Sequence, residues 1–597
     1  MRERKATHND LHHCLQRAIV AALSVVFFAV VSLSSAPSSR AQDAPLQSEL
    51  GRSGGRITVA LRTDPKTLNP ILAVDTTSRE VIGTMQADLV HINRQTQRTE
   101  PALASSWKVS PDGRKYTLTL RRDVKFSDGV PFTADDVVFT FQLYLDEALG
   151  SPQRDLLIID NKPIIVKKID AYTVEFDLTR PYGPGERIFD SLAILPQHLL
   201  EAAYRDKKIG EIWGVNAKPE EIAGLGPFRL KNYTPGQQLL LERNPNYWRR
   251  DANGTNLPYL NDLLFTVVAN EDAQVIKFKS GETQILERVG ADNFNLLQKE
   301  NSSKSQCLYD VGPGLEFVFL LLNMNSLDAV KHADIAAKQP WFRDLKFREA
   351  VSLAMDRKGM VRLVYGGRAT PIWGNVSPGN KLWLAANIPH PDRSIDQAKL
   401  LLKSAAFSWD GTGALLDPQK HPVSFTVVVS SSNAQRTKIA TIAQDDLKQL
   451  GIDVKVVPLE FRALVDRVMN THDYDAVLMN LVNGDVDPTP EMGLWRYSGE
   501  MHLWDMSEKT AATQWEAELD KLMESQMTTT DYATRRKLYA RVQEIVAQNL
   551  PLVFLLSPDI LVGAQSNVGN FRPGILDPYA LWNIDEQFLR PSGAACR

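Results

Sequence analysis

Residue types able to do covalent or metal chemistry are few in this chain, and they are poorly grouped. Gly51-Arg52-Ser53-Gly54-Gly55 fits G-x-S-x-G, the pattern that sets a serine nucleophile on a strained turn between a strand and a helix. Here the surroundings are polar and a strand lies after the pattern instead of before it, so it reads as linker. Asp251-Ala252-Asn253-Gly254-Thr255 has the spacing of a calcium loop. Its sixth position, however, is Asn256 where glycine is needed, and its twelfth is Asp262 where glutamate closes the cage. No H-E-x-x-H, G-x-x-x-x-G-K-[ST] or G-x-G-x-x-G run occurs, and the ten histidines are scattered. Neither Cys307 nor Cys596 has another Cys or His within four residues, which excludes a zinc pair at motif spacing. The two cysteines could pair in an oxidising compartment, although Cys596 is penultimate and chain ends are usually loose. The expectation is a protein with no catalytic residues, no cofactor and no metal.

The elements around these residues belong to an ordinary folded chain. Its 597 residues are 43% hydrophobic and 23% charged, enough for three to five packing units at roughly 100–200 residues each. Sixty-eight basic residues against 71 acidic ones give no basic surface for a nucleic acid. Arg2, Arg4, Lys5 and Arg17 precede a charge-free run from Ala18 to Leu33, and small residues follow up to Ser39-Arg40-Ala41. Sixteen residues cover about 24 Å of helix, short of the roughly 30 Å of hydrocarbon in a bilayer. Residues 1–41 therefore read as a cleaved signal peptide. Its removal takes away five basic and two acidic residues and leaves 63 against 69, a net charge of −6. Cys14 lies ahead of the apolar run, so it cannot become a lipid-modified first residue. A free periplasmic protein is expected.

Residues 42–55 read as a linker, and Ile57 to Leu61 as the first strand. Tyr116 to Leu120 alternates with period two and leads to the Asp128-Gly129 turn. Val423 to Leu481 reads as βαβαβ: strands at Val423–Val429, Val454–Val457 and Ala476–Leu481, with helices between and Gly451 as a stop. A single helix is predicted from about Leu345 to Tyr365, two more hold Leu519 and Val542, and Leu552 to Leu556 reads as a buried strand. The pattern supports an α/β architecture with two or more lobes.

A resemblance enters at Ala104-Ser105-Ser106-Trp107. It continues through Ser110-Pro111-Asp112-Gly113, Val124-Lys125-Phe126-Ser127-Asp128-Gly129 and Pro131-Phe132-Thr133-Ala134-Asp135-Asp136-Val137. Thr67-Leu68-Asn69-Pro70, Gly226-Pro227-Phe228, Arg243-Asn244-Pro245-Asn246-Tyr247-Trp248, Phe347-Arg348-Glu349-Ala350 and Ala354-Met355-Asp356-Arg357 keep the same order. Together they resemble the bacterial extracellular solute-binding proteins of family 5, the dipeptide-, oligopeptide- and nickel-binding components of ABC importers. Taken singly, these residues have plain structural roles: Asp112-Gly113 and Asp128-Gly129 as turns, Thr133 as a helix N-cap.

The resemblance implies a two-lobed, type II-like periplasmic binding protein with an extra subdomain in lobe one. Lobe one would hold residues 56–305 and 549–590, with the subdomain near 93–221, and lobe two 306–548. Residues 591–597 would be a loose tail. Crossings near 306–315, at Gly312-Pro313-Gly314, and near 547–552 would form the hinge. A peptide ligand needs a carboxylate to offset the burial of its ammonium. Peptide-binding relatives place such an aspartate a few residues before a proline. Asn483-Gly484-Asp485-Val486-Asp487-Pro488 matches with a one-residue gap, which makes Asp485 the expected anchor and Asp487 the second choice. Trp373, Trp495 and Trp504 are candidate cleft walls, with Arg496 and Tyr497 beside them. The implied function is capture of a peptide-like solute by a monomer and its delivery to an inner-membrane ABC permease. Two alternatives stay open: another solute (an oligosaccharide, opine or metal chelate) on the same fold, or an exported hydrolase.

Overall fold

Val553–Gln565 organises the molecule. Of its thirteen residues, all but Asp559 and Gln565 are buried, the continuous apolar run of a strand covered on both faces. In the computed structural model, which describes residues 48–190, 192–301, 305–506, 508–591 and 594–596, this strand sits inside a sheet of twelve strands. Its first half pairs antiparallel with Glu316–Leu322 and Ala369–Pro371. Its second half pairs with Ile285–Leu286 and Gln306–Pro313. The change of partner falls at Pro558, which has no N–H to give to a ladder; its carbonyl accepts from the Gly314 amide at 2.9 Å. One strand thus joins two groups of strands. The predicted signal peptide and residues 42–47 lie outside the described residues.

The first group contains Arg56–Leu61, parallel to Asp262–Val267 and next to Ile285–Leu286, with Gln238–Arg243 and Phe228–Thr234 on its outer edge. The second contains the predicted βαβαβ unit. Ser424–Ser430 is central, parallel to both Asp453–Leu459 and Ala476–Val482. Helix Ala434–Lys448 makes the first crossover, opened by Asn433, whose side chain accepts the Arg436 amide. Gly451 follows at φ +85°, and any Cβ there would meet the Gly413 carbonyl oxygen at 2.3 Å, so the stop needs glycine. A separate four-stranded antiparallel sheet runs Ala104–Val109, Lys115–Leu120, Thr173–Asp177, Ile165–Asp170. Helix Ala134–Leu145 packs on it, closed by the Thr133–Asp136 capping box.

Four expectations need correction. The predicted helix over 345–365 is two helices, Leu345–Ala354 and Arg357–Tyr365. Between them Met355 is extended and Asp356 accepts the Gly359 amide as a new N-cap, a competing local bond that apolar periodicity does not report. Residues 549–590 do not join the first group as one piece: 553–558 pair with the second group and 559–565 with the first. Residues 49–55 are tied to the body: the Glu49 amide donates to Asn570 Oδ1 (2.8 Å), Gly54 to the Tyr259 carbonyl (2.7 Å), and Asn261 to the Gly55 carbonyl (2.9 Å). The chain end is not loose at Cys596, which forms a disulfide with Cys307. No helix among the described residues is long and apolar enough to cross a membrane.

Candidate functional site

Parallel strands in open α/β sheets bind ligands beyond their carboxyl ends. Arg56–Leu61 and Ile285–Leu286 end this way in the first group, the latter running straight into Glu287-Arg288. In the second group, Ala476–Val482 runs into the loop that carries Asp485 and Asp487.

Asp485 is half-buried and already paired. Arg187, from the turn Gly185–Phe189, donates through Nε to its Oδ2 at 2.7 Å and through Nη2 to its Oδ1, which also accepts the Val486 amide at 2.7 Å. Arg187 Nη1 reaches the Gln97 carbonyl (2.9 Å), while the Gln97 side chain donates to the Gly379 carbonyl (2.7 Å) and accepts the Lys381 amide (3.1 Å). Residues 97 and 187, from the region of the antiparallel sheet, are thereby clamped to 379–381 and 485.

Asp487 is 3% exposed and forms a two-pronged pair with Arg535, at 2.9 and 3.0 Å. Burial alone would push its carboxyl up, but the guanidinium and the Thr489 amide hold it below the usual range. Arg535 also donates to the Gly183 carbonyl (2.7 Å) and to Gln526, so this pair is an internal brace. Trp495 and Trp504 lie in the interior, wholly buried. The Trp495 indole donates to Glu491, which also holds Tyr539, Asn375 and Asn483, and the Trp504 indole donates to Glu516 at 3.0 Å. Arg496 pairs with Asp520 (3.1 Å) and Glu524 (3.6 Å), and Tyr497 is half-buried. Trp373 stacks on His390, centroids 4.8 Å apart, under the Arg357 guanidinium, and its Nε1 is buried without a partner.

Glu80, Glu287 and Asp577 form a second set that the sequence does not single out. Glu80 lies on helix Thr76–Met85; its Oε1 is buried and has no partner. Burial, then the negative charge of Asp577, pushes its carboxyl up to about 8. Glu287 is likewise raised, by burial and by Glu80, even though its oxygens accept the Ala580 amide at 3.1 Å. Asp577 keeps solvent access, yet burial raises it against the opposing charges of Arg79, Arg94 and Arg288. Arg288, next to Glu287, lies 5.6 Å over the Tyr579 ring and 3.5 Å from Glu316, which accepts from Asn480 on strand Ala476–Val482 at 2.8 Å. Polar groups of both strand groups thus meet along one line. At the other end, Arg94 pairs with Asp190 (3.2 Å) and feels the charge of Asp485.

Chemically, two coupled carboxylates that cannot both ionise cheaply hold a proton at neutral pH until a cation arrives.

A large sheet in two groups of strands joined by one shared strand is the architecture of a two-lobed α/β binding fold. Residues 98–502 match the bacterial extracellular solute-binding proteins, family 5 Middle, and the chain belongs to that family. It is 26% identical over 535 residues to the probable ABC transporter-binding protein of Deinococcus radiodurans, covering 85% of this chain and 88% of that one. It is 25% identical over 585 residues to the oligopeptide-binding protein AppA of Bacillus subtilis, covering 95% and 98%. The structure of the substrate-binding protein CtaP from Listeria monocytogenes has the same fold, with a TM-score of 0.72 at 21% identity over 90% of this chain and all of that one. These relatives are transport binding proteins, and none is an enzyme by its description. The chain is accordingly a family 5 extracellular solute-binding protein, similar to binding proteins of ABC transporters.

Proposed function

We propose that this chain captures a solute carrying a protonated amine, a peptide or peptide-like molecule, between its lobes and delivers it unchanged to an inner-membrane ABC permease. The observation that carries this reading is Glu80: a carboxyl with a buried, partnerless oxygen that feels the negative charge of Asp577 and raises Glu287 in turn. An ammonium placed there supplies the missing donors and offsets the repulsion among the carboxylates. Asp485, the anchor expected from the family, acts in this reading as part of a latch with Arg187, which favours the closed population. The lobes divide near residue 314 and after Pro558. Residues 1–41 direct export, and the mature chain works as a free monomer in the periplasm. The neutralisation of Asp485 by Arg187 favours one further reading, a solute with no ammonium to anchor, such as a sugar.

Mass spectrometry of small molecules released from the purified protein separates the two. Peptides or other amines that also raise the melting temperature when added back are expected. A single neutral sugar with that effect would overturn the ammonium reading.

A further inference from the structure

A different polar cluster lies in the segment between the short helix Met492–Trp495 and the helix Gln514–Thr528. His502 is wholly buried. Its Nε2 stands 2.9 Å from Glu508 Oε2, but the two are out of line for a hydrogen bond. Both ring nitrogens and Glu508 Oε2 are buried with no partner of good geometry, and the Glu508 side chain is only 4% exposed. Glu516 supplies a third donor: one atom each from His502, Glu508 and Glu516 lies within 4.8 Å of the other two. A buried polar atom left unsatisfied costs roughly 1–3 kcal/mol, so His502 Nε2 and Glu508 Oε2, facing one another without a hydrogen bond, call for a missing partner.

The groups around the trio fix its donors in place. Glu516 Oε2 accepts from the Thr513 amide (2.9 Å) and hydroxyl (2.7 Å) at the start of its helix, and Oε1 accepts the Trp504 indole N–H at 3.0 Å. Glu508 Oε1 takes the Ala512 amide, which turns Oε2 toward the imidazole. The carbonyls of Leu494 and Arg496 lie beside the His502 ring; a backbone carbonyl that takes one ring N–H leaves the other nitrogen free as a ligand. The Trp504 ring, 3.9 Å from the imidazole centroid, seals one side.

We infer that His502, Glu508 and Glu516 form a binding site for one divalent transition-metal ion, with Zn²⁺ the best match. A neutral imidazole and two carboxylates balance its charge. Nitrogen and oxygen donors suit its borderline character, and three protein ligands leave a fourth position of the tetrahedron for water. The three residues stand six and eight positions apart in the chain, so no motif spacing announces the site. Its role is to hold the 496–513 segment against the helix that follows, and it is independent of the solute.

The test uses tag-free full-length protein, stripped with EDTA and exchanged into chelator-free buffer. Zinc chloride alone is titrated by calorimetry, and metal content is measured after gel filtration. One equivalent is expected, at a Kd of about 1 µM or tighter, with a rise in melting temperature. His502→Ala should lose that equivalent and the melting shift, and Glu508→Gln should weaken binding at least about tenfold. His91→Ala, in the other trio of possible donors, Asp88, His91 and Asp190, should keep both. If His502→Ala does not fold, Glu508→Gln decides. Wild-type protein that retains no zinc, or a Glu508→Gln protein that binds it as tightly as wild type, would overturn the assignment.

Discussion

Asp487 and Glu80 are both carboxylates among packed side chains, and they keep opposite company. Asp487 meets a guanidinium that donates to both of its oxygens, and its carboxyl is held below the usual range. Glu80 has a partnerless oxygen and two other carboxylates nearby, and its carboxyl is pushed up to about 8. The contrast separates charges that hold the fold from charges that wait for a guest. A saturated buried pair has no bond left to offer a ligand. An unsatisfied one lowers the stability of the empty protein and is relieved only by something from outside.

Four experiments would break or sharpen that contrast. The largest effect is expected at the saturated pair: Arg535→Ala leaves Asp487 charged, buried and unpaired, with a loss of about 3–5 kcal/mol. A thermal melt of the empty protein reads it, and an unchanged transition would remove the structural role. Next comes Glu80→Gln. It should weaken an ammonium-bearing solute by about 10–100-fold, or roughly 1.4–2.8 kcal/mol, while making the empty protein more stable.

The same position has a pH signature with a definite sign. Its folded carboxyl lies above the ordinary 4.5, so the empty fold is favoured below that value and loses stability as pH rises through about 8. Solute affinity should climb over the same window, with proton release on binding that calorimetry in buffers of different ionisation heat detects. A flat profile in wild-type protein would reject Glu80 as the anchor. The smallest effect belongs to Arg187→Ala, because that pair is partly exposed (side chains 11% and 23%). About 1 kcal/mol, a several-fold weaker affinity and a larger radius of gyration in solution scattering for the empty protein are expected. No change in either measurement would deny the latch.

Much of the fold was legible in local pattern, and little of the site was. Ser424–Ser430, Asp453–Leu459 and Ala476–Val482 announce themselves because each is a β-rich run bounded by turn residues. Thr133 as an N-cap was readable from Thr-Ala-Asp-Asp alone. The break at Met355–Asp356 was not, because both helices share one apolar period and differ only in a cap. Glu80 sits in a helix whose sequence looks like any solvated face, and its neighbours Glu287 and Asp577 come from distant parts of the chain. Arg187 and Asp485 are 298 residues apart, so sequence marked the carboxylate and had no means of marking its cation. Trp495 and Trp504 are the converse case: both lie in the interior, where large aromatics more often pack than line a wall.

Val553–Gln565 imposes an order of events during biogenesis. The first 313 residues contain six of the strands in the large sheet, but the strand that pairs with Ile285–Leu286 and Gln306–Pro313 is made only after residue 552. The Cys307–Cys596 bond, which spans 289 residues, then waits for residue 596. The amino-terminal strands must therefore survive as an unfinished sheet with open edges until residues 559–565 have been made, the stage at which proteases and aggregation compete with folding.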